Sequence, residues 1–150
     1  MSITVRSATL ADLDHIAPLF DAYRNFYGQA TDLARARGWL QQRLSAQEAF
    51  VLLAEADGQP AGFVLLYPGW SSVSTGPTLL LNDLFVAPFA RRTGVGSRLL
   101  HAAAELGRDR GALRLALETA ADNHAAQALY RQAGWTADAT QWFHLPLGPP

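Results

Sequence analysis

Arg91-Arg92-Thr93-Gly94-Val95-Gly96-Ser97 sets two cations, two glycines and two hydroxyls directly ahead of an amphipathic run. Gly94 and Gly96 open backbone conformations closed to other residues and let the chain approach a ligand closely. A helix beginning there turns free N–H groups and the positive end of its dipole toward an anion. That combination can cradle a pyrophosphate, and Ser97 can add a hydroxyl and Arg91 or Arg92 a cation to the same phosphates. Read without a ligand, the stretch is a Gly-rich turn with a solvated arginine pair. Further on, Asn123 and Tyr130 stand seven residues apart, two helical turns, and so share one helix face. Their bland roles are an N-cap and a half-buried aromatic.

The residue types also exclude chemistry. All 12 basic residues are Arg and Cys is absent, so there is no Schiff-base lysine, P-loop lysine, thiolate nucleophile, disulfide or Cys-ligated metal. Any catalysis must use Asp, Glu, His, Tyr, Ser, Thr, Arg or backbone. Strand alternation sets Asn82 and Asp83 on opposite faces unless a bulge intervenes. His15, His101, His124 and His144 lie far apart without metal-ligand spacing, so no metal is expected.

The elements that must position these groups follow from patterning. Ile3 to Ser7 reads as a strand, and Thr9-Leu10-Ala11-Asp12 as a capping box opening a helix with Leu13, Ile16, Ala17 and Phe20 inward. Pro18 predicts a kink or break in it. Asp32 caps a second helix through about Leu44, with Leu33, Ala36, Leu40 and Leu44 inward. Phe50 to Ala54 and Ala61 to Tyr67 form a hairpin about an Asp-Gly turn, and Pro68 to Pro77 reads as a loop. Then come a strand over Thr78 to Val86, a helix from Thr93 to about Leu106 closed by Gly107, and a strand over Ala112 to Glu118. A helix over Asn123 to Ala133 ends at Gly134, and extended chain runs from Trp135 to Leu147. This order, β-α-α-β-β-β-α-β-α-β without a repeat or linker, predicts one α/β domain over residues 1–150 with helices on both faces of a central sheet.

A dinucleotide fingerprint needs its first Gly almost directly after the strand and a third Gly where this chain has Leu99. Glu118, near where a ribose-binding acid would sit, is that reading's one attraction. A different family fits more of the chain. Arg91-x-x-Gly94-x-Gly96 after Leu84-Phe85-Val86-x-Pro88 resembles the acetyl-coenzyme A signature of the Gcn5-related N-acetyltransferases. Asn123, Ala128-Leu129-Tyr130 and Gly134-Trp135 are similar to that family's second motif, and the element order is also the family's. The resemblance implies a mixed, mostly antiparallel sheet, acetyl-coenzyme A as co-substrate, and direct transfer to an amine. It implies that the pantetheine arm pairs with Leu84, Phe85 and Val86 in an opening between two strands. The pyrophosphate takes N–H groups from Arg92, Thr93, Gly94, Val95, Gly96 and Ser97. Asn123 meets the pantetheine, Tyr130 protonates the leaving thiolate, and a backbone N–H near Leu84 serves the oxyanion. The family's polyamine acetyltransferases carry Glu where this chain has Asn82; Asn cannot accept a proton at neutral pH, so Asp83 or Glu118 serves through water, or no strong base is used, and the acceptor is open.

Tyr23, Arg24, Phe26 and Tyr27 are either helix packing or one wall of the acceptor cleft, with Asn82 and Trp70 as further acceptor-side candidates. The expected reaction is N-acetylation of a small primary amine. A protein or peptide N-terminal acetyltransferase, a non-catalytic acyl-coenzyme A binding module and a nucleotide-binding half domain stand as alternatives. With 12 basic against 13 acidic residues, a general polyanion binder is disfavoured and no nucleic-acid partner is expected. No apolar span or signal pattern points to a membrane, so a cytoplasmic setting is the default. Trp142 and Phe143 in a final strand, together with the resemblance, predict a homodimer.

Overall fold

The computed structural model describes residues 1–149. Five strands form one sheet in the order β1 (Ile3–Ser7), β2 (Phe50–Ala56), β3 (Gln59–Ser71), β4 (Gly76–Val86) and β5 (Leu115–Ala116). The first four pair antiparallel, and β5 joins β4 in parallel. Helices α1 (Leu13–Phe26) and α2 (Leu33–Ser45) cover one face, where Ile16, Ala17, Phe20, Ala36 and Leu40 meet Leu53, Phe63 and Leu65. On the other face α3 (Val95–Asp109) lays Val95, Leu99, Leu100 and Ala103 on Leu52, Val64, Leu66, Leu79 and Leu81. A mixed α/β sheet flanked by helices on both faces is therefore what the sequence forms, and α4 (His124–Gln132) follows β5. No helix among the described residues is long and apolar enough to cross a membrane.

The β2–β3 turn needs its Asp-Gly pair: Asp57 and Gly58 sit at φ +49° and +81°, the left-handed pair that matches strand twist in a two-residue hairpin. The box ahead of α1 also forms. Asp12 accepts from the Thr9 N–H at 2.8 Å and is gripped by both terminal nitrogens of Arg6 at 2.9 and 2.8 Å.

Several expectations give way. Pro18 does not break α1, which runs unbroken from Leu13 to Phe26. Pro18 lies exposed in the second turn, so the only acceptor it deprives is the Asp14 carbonyl on the solvent side, which water can serve. Leu33 is exposed in the first turn of α2, and Trp39 supplies the packing instead, stacked on Phe20 at 5.3 Å. The stretch 68–77 is not a loop: β3 runs on to Ser71 and β4 begins at Gly76, with Trp70 opposite Pro77. Pro68 is tolerated there because β2 ends opposite Leu66, leaving β3 a neighbour on one side only. Gly107 does not end α3. It is a packing glycine whose Cβ would come within 2.6 Å of Leu115 Cδ1, and the reversal comes at Gly111, φ +70°.

Two strands shrink. β5 pairs only through Leu79↔Leu115 and Leu80↔Ala116. Its partner is diverted at that point, because Leu66 faces Leu81 while Leu65 faces Asp83, so Asn82 is an extra, bulged residue. A bulge bends and twists its strand, and β4 and β5 separate from there on. The final strand expected over Trp135 to Leu147 is absent; that segment is unpaired and almost wholly exposed.

Candidate active site

The separation of β4 from β5 leaves one edge of β4 open from Leu81 to Val86. Which backbone groups line it follows from the antiparallel alternation on the other edge. Ala87 N–H donates to Ala61 O at 2.8 Å, so Phe85, two residues back and opposite Phe63, also exchanges its bonds with β3. Leu84 and Val86 then turn their N–H and C=O groups toward the opening. Phe85 contributes a buried ring to the α1-face core instead, so of the three strand residues expected to pair with a ligand only two turn backbone groups toward the opening. The Val86 carbonyl accepts from Arg91 Nε at 3.0 Å, with the Arg91 guanidinium 5.8 Å from the Phe85 ring.

Beyond Val86 the chain makes a short turn of helix, Pro88–Ala90, and reaches α3. Gly94 is the N-cap of α3 at φ +94°, and no side chain caps the end. The first bond of the helix is donated by Arg98 N–H to Gly94 O at 3.1 Å. The N–H groups of Val95, Gly96 and Ser97 ahead of it therefore have no intrahelical acceptor. Arg92, at φ +62°, and Ser97 are both exposed beside them. Thr93 spends its hydroxyl on the Ala90 carbonyl, and the Val95 side chain is core, so these two offer only backbone. The two glycines differ in what they permit. A Cβ on Gly94 would meet nothing within 4 Å, whereas on Gly96 it would stand 3.2 Å from Leu129 Cδ2 of α4. Gly94 is required by its backbone angle over open space, Gly96 by helix packing.

Asp83 is the buried acid of the opening, 7% exposed. The bulge removes the alternation that would have separated it from Asn82, whose amide donates to Asp83 Oδ1 at 3.1 Å. Burial pushes the Asp83 carboxyl above the usual carboxylate range, against the pull of the Tyr23 hydroxyl and the Asn82 amide toward the charged form. Tyr23 sits edge-on to Phe63 and Phe85 at 5.8 and 6.1 Å and 5.0 Å from Tyr27. Desolvation and Asp83 keep its phenol protonated well beyond neutral pH. Burial, with Tyr27 nearby, likewise raises Tyr130, which leans on Trp135 at 6.2 Å. Tyr27, Tyr23, Asp83 and Asn82 thus stand together at the opening, with Tyr130 near enough for Tyr27 to act on its phenol. Tyr67 belongs with them, its phenol raised by burial and by Asp83. Sequence reading missed Tyr67 because it ends an apolar run and reads as core. The bulge in β4, which carries Asp83 onto the face that Tyr67 shares with Phe63 and Leu65, leaves no signal in residue type.

Three candidates stay outside this group. Glu118 is exposed beyond the end of β5 with no hydrogen bond among the described residues. Trp70 lies six strand positions from Asp83 toward the far end of β4, about 20 Å at strand rise. Asn123 is exposed and caps α4, its Oδ1 accepting from Ala126 N–H at 3.2 Å. No group of three or more His, Asp or Glu side chains suited to a metal occurs among the described residues.

Comparison with known proteins agrees with this geometry. The model of the acetyltransferase (GNAT) family matches residues 14–135. The chain is 45% identical to YhfO, an uncharacterized N-acetyltransferase of Bacillus subtilis, over 99% of both chains. It is 37% identical to an aminoglycoside N(6')-acetyltransferase type 1 of Klebsiella aerogenes over 68% of this chain and 70% of that one. A crystal structure of a probable acetyltransferase superposes with a TM-score of 0.91 at 38% identity over the whole of both chains. The nucleotide-binding half domain and the non-catalytic module are set aside, because the chain belongs to the acetyltransferase (GNAT) family and is an acetyltransferase.

Proposed function

We propose that this enzyme transfers the acetyl group of acetyl-coenzyme A directly to the primary amine of a small molecule. The observation that carries the reading is the open β4 edge: the outward backbone groups of Leu84 and the outward N–H of Val86 lead straight to the uncapped N-terminus of α3. A long, thin ligand with a pyrophosphate at one end fits that succession. The β4 groups hold its pantetheine arm as an added strand would be held, and Val95, Gly96 and Ser97 with Arg92 take the phosphates. Bound there, acetyl-coenzyme A supplies a thioester open to attack by a neutral amine.

Asp83, ionised, accepts a proton from the incoming ammonium, directly or through water, and its raised proton affinity makes it a stronger base than an ordinary carboxylate. As the carbon–nitrogen bond forms and the carbon–sulfur bond breaks, the Tyr130 hydroxyl gives its proton to the departing sulfur, and the phenolate it leaves regains a proton, through water, from the attacking nitrogen, which must shed its second proton to become the amide. The outward N–H near Leu84 faces the oxygen that gains charge. With no Cys in the chain, direct attack within a ternary complex is the route that remains. Tyr23, Tyr27 and Tyr67 around one carboxylate favour a compact cationic acceptor, and the name of the aminoglycoside acetyltransferase relative supports a small-molecule amine. The test is release of free coenzyme A thiol from acetyl-coenzyme A across a panel of small amines and N-terminal peptides. Turnover with small amines is expected; turnover confined to peptides would transfer the acceptor assignment to protein N-termini.

A further inference from the structure

The proton transfers proposed for Asp83 and Tyr130 make no use of Arg24, which follows Tyr23 on α1. Arg24 is half-buried, and its Nη1 is closed off from water with no hydrogen-bond partner among the described residues. A guanidinium nitrogen only donates, and a buried donor without an acceptor is uncommon in a folded chain. No carboxylate of the chain fills the gap. Asp21, one turn earlier and 7% exposed, accepts from the Asp32 N–H at 2.9 Å, and no ion pair among the described residues involves Arg24.

The fold places this donor beside the acceptor side of the opening. Arg24 continues the helix row of Phe20, whose ring meets Trp39 of α2 at 5.3 Å and Phe63 of β3 at 6.1 Å. Tyr23 turns instead toward Phe63 and Phe85, and its hydroxyl donates to Asp83. The two neighbours thus diverge, Tyr23 toward the buried acid and Arg24 toward α2. From α2, Arg43 also brings its charge near the Tyr67 phenol, but its Nε already donates to Glu48 Oε1 at 3.0 Å. One buried carboxylate and, a helix step away, one guanidinium donor without an acceptor complement a zwitterion. They suit a polycation poorly, since the guanidinium repels its second charge.

Resting on acetyl transfer to a small amine, we propose that the acceptor also carries a carboxylate, with its amino end at Asp83 and its carboxylate on the Arg24 guanidinium. Successive helix residues point about 100° apart, so several bonds must separate the two ends, as in a linear ω-amino acid. A single carboxylate balances the one available guanidinium, whereas a phosphate would call on Arg43 as well.

The test compares δ-aminovalerate with δ-aminovaleramide, pentylamine and cadaverine. It reads coenzyme A thiol release and, independently of turnover, the rise in melting temperature with coenzyme A present. The wild type is expected to favour δ-aminovalerate over its amide at least about tenfold in kcat/KM, chiefly through KM, as one charged hydrogen bond allows. Arg24→Gln is expected to bring that ratio near one; should it fail to fold, the wild-type ratio alone decides. Equal or better turnover of the amide or of cadaverine, or a preference kept by folded Arg24→Gln, would overturn the inference and leave acetyl transfer to amines standing. If none of these amines is acetylated, it is the transfer to such amines that fails, and melting decides the rest: a larger rise with δ-aminovalerate than with its amide sustains the carboxylate contact, and an equal rise removes it.

Discussion

Residues up to Asp109 and residues after it are built on different terms. In the first part every strand from β1 to β4 is paired along most of its length, and two layers of fully buried aliphatic side chains sandwich the sheet. In the second part a two-residue strand, a helix without a buried residue and an unpaired tail follow one another. The site is divided along that boundary. Asp83, Tyr23 and Tyr27 belong to the well-packed part, and Tyr130 and Asn123 to the thinly covered one. The proton acceptor we propose is thus held by the core, while the proposed proton donor depends on how α4 is held.

Substitutions on the two sides are therefore expected to differ in size. The largest effect is expected on the packed side. Asp83→Asn keeps shape and the neighbouring hydrogen bonds but removes the proton acceptor, so kcat/KM should fall 10²- to 10⁴-fold, measured by coenzyme A thiol release. Tyr130→Phe, on the thin side, should lower kcat at least about tenfold while changing acetyl-coenzyme A affinity little. Unchanged kcat would reduce Tyr130 to packing against Trp135.

The glycines sharpen the comparison further. Gly94→Val places a branched side chain at φ +94° over the open helix end, so the rise in melting temperature given by acetyl-coenzyme A should vanish. Gly96→Ala presses on Leu129 of α4 and should lower the melting temperature slightly while leaving a measurable ligand shift. Loss of the shift in Gly96→Ala alone would reverse the two assignments.

The smallest expected effect lies far from the site. Asp12, held by Arg6 and the Thr9 N–H, has its pKa lowered from 3.8 to about 2. Folding therefore gains from its ionised form above pH 3.8 and loses that gain as pH falls toward 2. Between pH 4 and 2 the melting temperature of the wild type should drop more steeply than that of Asp12→Asn. Parallel slopes would mean the ion pair adds no pH-dependent stability.

What the sequence discloses and what it hides have physical causes. The capping box, the Asp-Gly hairpin and the Gly94 turn are legible because each depends on neighbours within four residues. The Asn82 bulge is not, since it arises from pairing with Leu65 and Leu66 on another strand, and it decides that Asn82 and Asp83 share a face. Gly107 reads as a helix stop only while its contact with Leu115 is unknown. The apolar tail over 135–147 carries the pattern of a strand but finds no pairing edge in its own chain, so its pattern alone could not say where it goes. Asn123 spends its side chain capping α4 while Tyr130 is half-buried against the α3-face core, and Tyr67, at the end of an apolar run, reads as core.

The central claim is that Asp83 takes the proton that lets a small amine attack acetyl-coenzyme A. The most direct measurement is the pH dependence of kcat/KM for the wild type beside Asp83→Asn, with one amine and saturating acetyl-coenzyme A. Because the base must be ionised and burial raises its pKa, the wild-type rate should climb with pH along a limb lying above the ordinary carboxylate range, and Asp83→Asn should lose that limb together with most of the rate. A variant that keeps both the limb and the wild-type rate would contradict the account.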